Sequence, residues 1–347
     1  MLFRSITVST TGAIGANAGS IGVNLTSATG IADAATNTLS TATLTGQTYT
    51  YDTTVPTVTV ALAAASDTGS SSSDGITSAA TLTYNVTFSE SVTGLATGDF
   101  SLSGTSCTLG VLSGSGTTYT LTVTSCADGA SVGLSVLANA VSDAAGNSGP
   151  AATTAAATVT IDRTGPTVTI NQAATQADPA NASPVLFRVV FSEPINVSSF
   201  TAADVTIGGT ATGTKTVTLT EVAPNDGTTF QASVSSITST AQTGGTVIAS
   251  IAVGLVSDPA GNTSAASTST DNTVTYDTVR PTLTSINRST GATNPTNTGP
   301  LTWTATFVEP VSGVTASNFG VATSGITGTA PSITSVATTD EIGRAHV

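Results

Sequence analysis

Asp143-Ala144-Ala145-Gly146-Asn147, followed by Ile161-Asp162-Arg163-Thr164-Gly165-Pro166, sets the reading of the whole chain. The pair returns as Asp258-Pro259-Ala260-Gly261-Asn262 with Tyr276-Asp277-Thr278-Val279-Arg280-Pro281. A worn copy stands earlier, as Asp33-Ala34-Ala35-Thr36-Asn37 with Tyr51-Asp52-Thr53-Thr54-Val55-Pro56. The two aspartates are 19 residues apart in all three copies. A fixed gap flanking variable stretches marks a tandem repeat.

Between these markers the apolar residues alternate with period two, which predicts half-buried strands. Residues 53–162 read as a complete repeat. Val58, Val60 and Leu62 open it, and Leu82, Tyr84, Val86 and Phe88 share one face opposite Thr81, Thr83, Asn85 and Thr87. Tyr119, Leu121 and Val123 follow, then Val132, Leu134 and Val136, with Val159 and Ile161 closing the unit. Residues 163–277 repeat the plan. Val185, Phe187, Val189 and Phe191 form the second strand, Phe230, Ala232 and Val234 a later one, and Val247, Ala249, Ile251 and Val253 the next. Residues 1–52 read as the C-terminal part of a truncated repeat and 278–340 as the N-terminal part of another, with Leu301, Trp303, Ala305 and Phe307 on a core face.

Composition narrows the class. Charged residues are 8% of the chain, too few for long helices with ion-paired faces. Thr and Val favour strands, and 34 Gly with 13 Pro supply turns. A net charge of −13 with seven Lys and Arg excludes a nucleic-acid partner, which needs basic surface. No apolar run has the length of a signal peptide or a membrane span. Glu341-Ile342-Gly343-Arg344-Ala345-His346-Val347 resembles the in-frame translation of a common sequencing adapter. It is left out of fold reasoning and is expected to pack on nothing and continue no strand. His346 is the only histidine, so the rest of the chain has no imidazole, and Lys215 is its only lysine. These are poor materials for an activated nucleophile, and no enzymatic activity is expected.

Linker prolines Pro56, Pro166 and Pro281 lie 110 and 115 residues apart. Roughly 100 residues with about seven alternating strands is the size of an antiparallel β-sandwich. Phe88-Ser89-Glu90, Phe191-Ser192-Glu193 and Phe307-Val308-Glu309 end the second strand of successive copies. Gly98-Asp99-Phe100, Ala203-Asp204-Val205 and Ser317-Asn318-Phe319 follow. Together with the Asp-x-Ala-Gly-Asn turn and the Asp-x-x-x-Pro linker, this combination resembles the bacterial Ig-like repeats of large secreted or surface adhesins. It departs at Thr36, where the turn lacks glycine, and at Asn318, where aspartate is expected. The resemblance implies an all-β chain of tandem Ig-like sandwiches in an elongated, extracellular, monomeric stalk, sometimes stiffened by calcium. Its ligand on a host, surface or matrix would be met by regions outside this sequence. An accessory region of a secreted polysaccharide-active enzyme, or a carbohydrate-binding module with Thr-rich faces, is the alternative.

Threaded through such a sandwich, the acidic residues converge where the linker enters each repeat. The first junction gathers Asp52, Glu90, Asp99 and Asp143; the second gathers Asp162, Glu193, Asp204 and Asp258; the third gathers Asp277 and Glu309 with Asn318. With Asp33, these are 11 of the 20 acidic residues. Crowded carboxylates resist ionising together, and a hard cation such as Ca2+, which takes six to eight oxygens, relieves them. Aspartates that cap their own turns are the other reading, and both stay open here. The only cysteines, Cys107 and Cys126, flank Ser113-Gly114-Ser115-Gly116-Thr117-Thr118. A hairpin turn there would set them face to face, as a disulfide across two antiparallel strands requires. A bridge fits an oxidising compartment.

Overall fold

The computed structural model describes residues 4–8, 19–41, 43–104, 106–240, 244–327, 332–333, 337–338 and 344–346. Among them every regular element is a strand or a single 3-10 turn. The chain divides into two compact units: Met1–Thr164 with Asp258–Asn262, and Gly165–Ser257 with Thr263–Val347.

Unit 1 begins with β1 (Gly19–Leu25) and β2 (Leu44–Tyr51), an antiparallel pair with Gly19 opposite Tyr51. Its sandwich then runs through β3 (Val58–Leu62), β4 (Ile76–Thr77), β5 (Thr81–Val92), β6 (Phe100–Ser103), β7 (Thr108–Thr124) and β8 (Ser131–Val136). It closes with β9 (Val141–Ser142), β10 (Ser148–Gly149), β11 (Thr154–Ala155) and β12 (Val159–Ile161). One sheet has the order β3-β5-β7, the other β11-β8-β12-β4 with β6 beside β8. All these pairings are antiparallel except β12 with β4.

The alternation decides what goes inside. Leu82, Tyr84, Val86 and Phe88 of β5 are buried against Leu121, Val123, Val132, Leu134, Val136 and Ile161. Each such side chain contributes on the order of 1.5–3 kcal/mol when fully buried. Tyr119 stays at the margin, where its ring meets Phe88 edge-on and its hydroxyl donates to the Val92 carbonyl (3.1 Å). The long run β7 folds back on itself at Gly114 and Gly116, whose φ values of 110° and 67° suit residues without a Cβ. The Thr108 hydroxyl thereby reaches the Thr124 carbonyl (3.2 Å), and a disulfide joins Cys107 to Cys126 at the hairpin base.

Unit 2 repeats the arrangement with its own core. Its strands are β13 (Val168–Gln172), β14 (Val185–Phe191), β15 (Val205–Gly208), β16 (Thr216–Glu221), β17 (Thr229–Ser235), β18 (Gly245–Ile251) and β19 (Thr273–Tyr276). They form the sheets β13-β14-β17-β16 and β15-β18-β19. Phe187, Val189, Phe191, Phe230 and Val234 meet Val247, Ala249 and Ile251 inside, with Phe191, Phe200 and Phe230 in mutual edge-to-face contact. Val253, expected on that face, is 69% exposed, because β18 ends at Ile251 and a turn follows.

Later in the same unit come β20 (Leu283–Arg288), β21 (Trp303–Phe307), β22 (Ala337–Thr338) and β23 (Arg344–His346), in the order β20-β21-β23-β22. Two expectations fail here. Of the β21 face only Ala305 is fully buried; Leu301 and Trp303 are exposed, since no second sheet covers them among the described residues. The tail does continue a strand, with Thr304 opposite His346 and Thr306 opposite Arg344. The reason is physical: β21 pairs with β20 along one edge, and its other edge offers unpaired backbone groups to any extended segment within reach.

Candidate metal centre

The Asp143 turn is built by its first side chain. Asp143 Oδ1 accepts from the backbone amides of Ala145 and Asn147 (both 2.8 Å), and Oδ2 accepts from Asn147 Nδ2 (2.8 Å). Gly146 closes the turn at φ 91°. Asn147 Nδ2 also donates to the Asp52 carbonyl (3.1 Å), which ties the turn to the linker that enters the repeat. The later copy keeps the bonds of the asparagine. Asn262 donates through its amide to Asp258 Oδ1 (2.9 Å), and through Nδ2 to Asp258 Oδ2 (2.9 Å) and the Asp162 carbonyl (3.0 Å). In the worn copy Asp33 accepts in the same way from Ala35 and Asn37, and Thr36 takes the left-handed position at φ 68°.

Asp52, Glu90 and Asp143 each place a carboxylate oxygen within 4.8 Å of the others. Asp143 is buried and the other two are partly so. Lost solvation pushes the Glu90 carboxyl above its ordinary range, helped by the charges of Asp143 and Asp52. The Asn147 side chain and three backbone amides hold Asp143 below its own range, against the effect of burial. Asp52 Oδ1 accepts from Thr54 N (2.9 Å), fixing the linker aspartate in a turn. This donor set is anionic and all oxygen, the chemistry a hard divalent cation takes. It therefore fits Ca2+.

Of the four acidic residues expected at this pole, Asp99 does not join the group. Its Oδ2 accepts from Ala96 N (2.8 Å) and caps the 3-10 turn Thr97–Asp99. Asp204 caps Ala202–Asp204 through Thr201 N (2.7 Å), and Asn318 caps Ala316–Asn318 through Thr315 N (2.7 Å). Recurrence at these three positions follows from capping a short turn, a task asparagine performs as well as aspartate. Asp162 and Asp277 make the linker turn again, accepting from Thr164 and Val279. Burial raises the Asp162 carboxyl above its ordinary range, with Asp258 and Asp128 adding like charge. Glu193 follows the end of β14, and Glu309 follows β21 with Oε1 buried and unpartnered. Sequence reasoning missed that Asn147 is the tie between turn and linker; its recurrence as Asn262 and Asn37 was the available signal.

Residues 52–160 match the bacterial Ig-like domain family. No curated protein matches the chain. Among solved structures, the crystal structure of a titin I9–I11 tandem is similar at 11% sequence identity, over 78% of this chain and 83% of that one, with a TM-score of 0.23. No helix among the described residues is long and apolar enough to cross a membrane.

Proposed function

We propose that the chain is a run of stalk repeats from a secreted or cell-surface bacterial adhesin, with calcium bound where a linker meets the next repeat. The carrying observation is the group Asp52, Glu90 and Asp143, drawn from a linker, a strand and a turn to within 4.8 Å. An ion shared by them ties the linker to the repeat through common oxygens. Without it, three like charges oppose that contact. The family match over residues 52–160 supports a structural role, and the same residue types recur in later copies, which suits a repeated joint better than a single active site.

The role is mechanical in this reading. Each repeat has its own core, and stiffness depends on the linkers. The whole chain, melted in millimolar calcium and then in chelator, should show higher stability with the ion, by mass action on the folded state. Glu90→Gln with Asp52→Asn should remove the calcium response of unit 1. No calcium effect on the wild-type melt would reduce these residues to turn formers.

A further inference from the structure

Two features set the 53–162 repeat apart from the next one, and they touch each other. One is the Cys107–Cys126 disulfide. The other is Arg163, which stands in the linker where the other copies have Thr53 and Thr278. Arg163 Nη1 donates to the Cys126 carbonyl (2.8 Å), and Nη2 donates to the Ala79 carbonyl (2.8 Å). Its backbone amide donates to Asp128 Oδ1 (2.7 Å), and the Thr164 hydroxyl donates to Asp128 Oδ2. Backbone and side chain of the linker are thus both clipped to the turn that follows the second cysteine.

We propose that the Arg163–Thr164 bond is a guarded cleavage site for an arginine-specific, trypsin-like protease, opened by reduction of the Cys107–Cys126 disulfide. Such a protease needs the arginine side chain in its specificity pocket and the flanking backbone extended in its cleft. In this clip the guanidinium, the Arg163 amide and the Thr164 hydroxyl are all engaged elsewhere. The other linkers offer no equivalent bond: Thr53 and Thr278 are not basic, and Arg280 precedes Pro281, which blocks such enzymes. Arg163 is also the only basic residue between Arg4 and Arg188.

Cys107 is partly exposed, whereas Cys126 is buried. A small thiolate attacks the Cys107 sulfur and releases Cys126 as thiolate; a second thiolate frees Cys107, leaving two protein thiols and an oxidised reductant. The turn at Ser125–Gly129 then loses its covalent anchor, and the Cys126 carbonyl no longer fixes the guanidinium. Hydrolysis takes one water and yields a new carboxylate on Arg163 and a new amine on Thr164. In a stalk this would shed everything beyond the linker under reducing conditions.

The test is digestion of the full chain by trypsin, with mass spectrometry following the fragment that begins at Thr164. Cleavage after Lys215 serves as the internal reference, and chymotrypsin reports on buried Tyr84 and Phe88. Reduction should speed cleavage at Arg163 by about tenfold or more, because cutting tracks the open population. Lys215 should not change, and the rise at Tyr84 and Phe88 that follows from the lower stability of the reduced repeat should stay well below the rise at Arg163. Asp128→Ala should speed Arg163 cleavage with the disulfide intact, since it removes the turn's hold on the linker backbone. Fast cleavage before reduction, or none after it, overturns the proposal. So does a parallel rise at Tyr84 and Phe88, which would mean that the repeat as a whole unfolds.

Discussion

Glu90 loses solvent on folding and faces two aspartates, so its carboxyl holds a proton more readily than an ordinary glutamate, whose value is 4.5. A folded pKa above the unfolded one means that this group removes stability at neutral pH and restores it as pH falls through the raised value. Asp143 is shifted the other way. Its hydrogen bonds contribute stability above the ordinary aspartate value of 3.8 and lose it as pH falls through the lowered folded value. In chelator, unit 1 should therefore gain slightly as pH falls from neutral toward the ordinary glutamate value of 4.5 and then lose stability in stronger acid, as thermal melts at a pH series would show. Glu90→Gln should raise the chelator melt at pH 7, by a few tenths of a kcal/mol at this solvent-screened position, and weaken the calcium response. A stabilising residue would show the opposite sign. Asn147→Ala removes the donor shared by Asp143 and the Asp52 carbonyl and should cost about 1–2 kcal/mol in either buffer.

At the scale of elements, the hairpin of β7 is where covalent and packing terms meet. The disulfide closes a loop of 19 residues, and in the chain-entropy account a bridge of this size contributes about 3 kcal/mol. Reduction should lower the melting temperature of unit 1 and leave unit 2 where it was, a difference that calorimetry resolves. Most of this architecture was legible in the sequence. Strict alternation in 81–88 and 185–191 assigned faces correctly, because a period of two leaves no choice once one side is buried. The hairpin between the cysteines followed from its glycines. Less legible were the places where burial depends on a partner. Trp303 has the same pattern as Phe187, yet one is 36% exposed and the other fully buried, because among the described residues only Phe187 has a second sheet over it. Asp99 looked like a pole ligand because it recurs; recurrence cannot tell a cap from a ligand, since both are repeated with the fold. The Arg163 clip was invisible because its acceptors are backbone carbonyls, which no residue type announces.

The whole molecule carries −13 with seven basic residues, so its carboxylates have few cations of its own to offset them. Two kinds of added cation can supply the deficit, and they act differently. Monovalent salt screens exposed charges over a Debye length of about 10 Å at 0.1 M, without occupying any site. Calcium bound by Asp52, Glu90 and Asp143 would replace solvent with direct coordination and cancel the local repulsion outright. In chelator, raising sodium chloride should therefore raise the melting temperature of unit 1 gradually, without saturation at a stoichiometric point. In millimolar calcium the same salt series should be nearly flat for that transition, because the charges that salt would screen are already neutralised. Magnesium at equal concentration should behave more like sodium, since it demands a tight octahedron and keeps its waters. The two cores give an internal control. Leu134→Ala should lower only the unit 1 transition and Phe187→Ala only that of unit 2, each by about 2–5 kcal/mol. With the transitions assigned in this way, a calcium effect that tracks ionic strength alone, and survives Glu90→Gln with Asp52→Asn, would be screening; one that saturates and disappears in that variant belongs to the site.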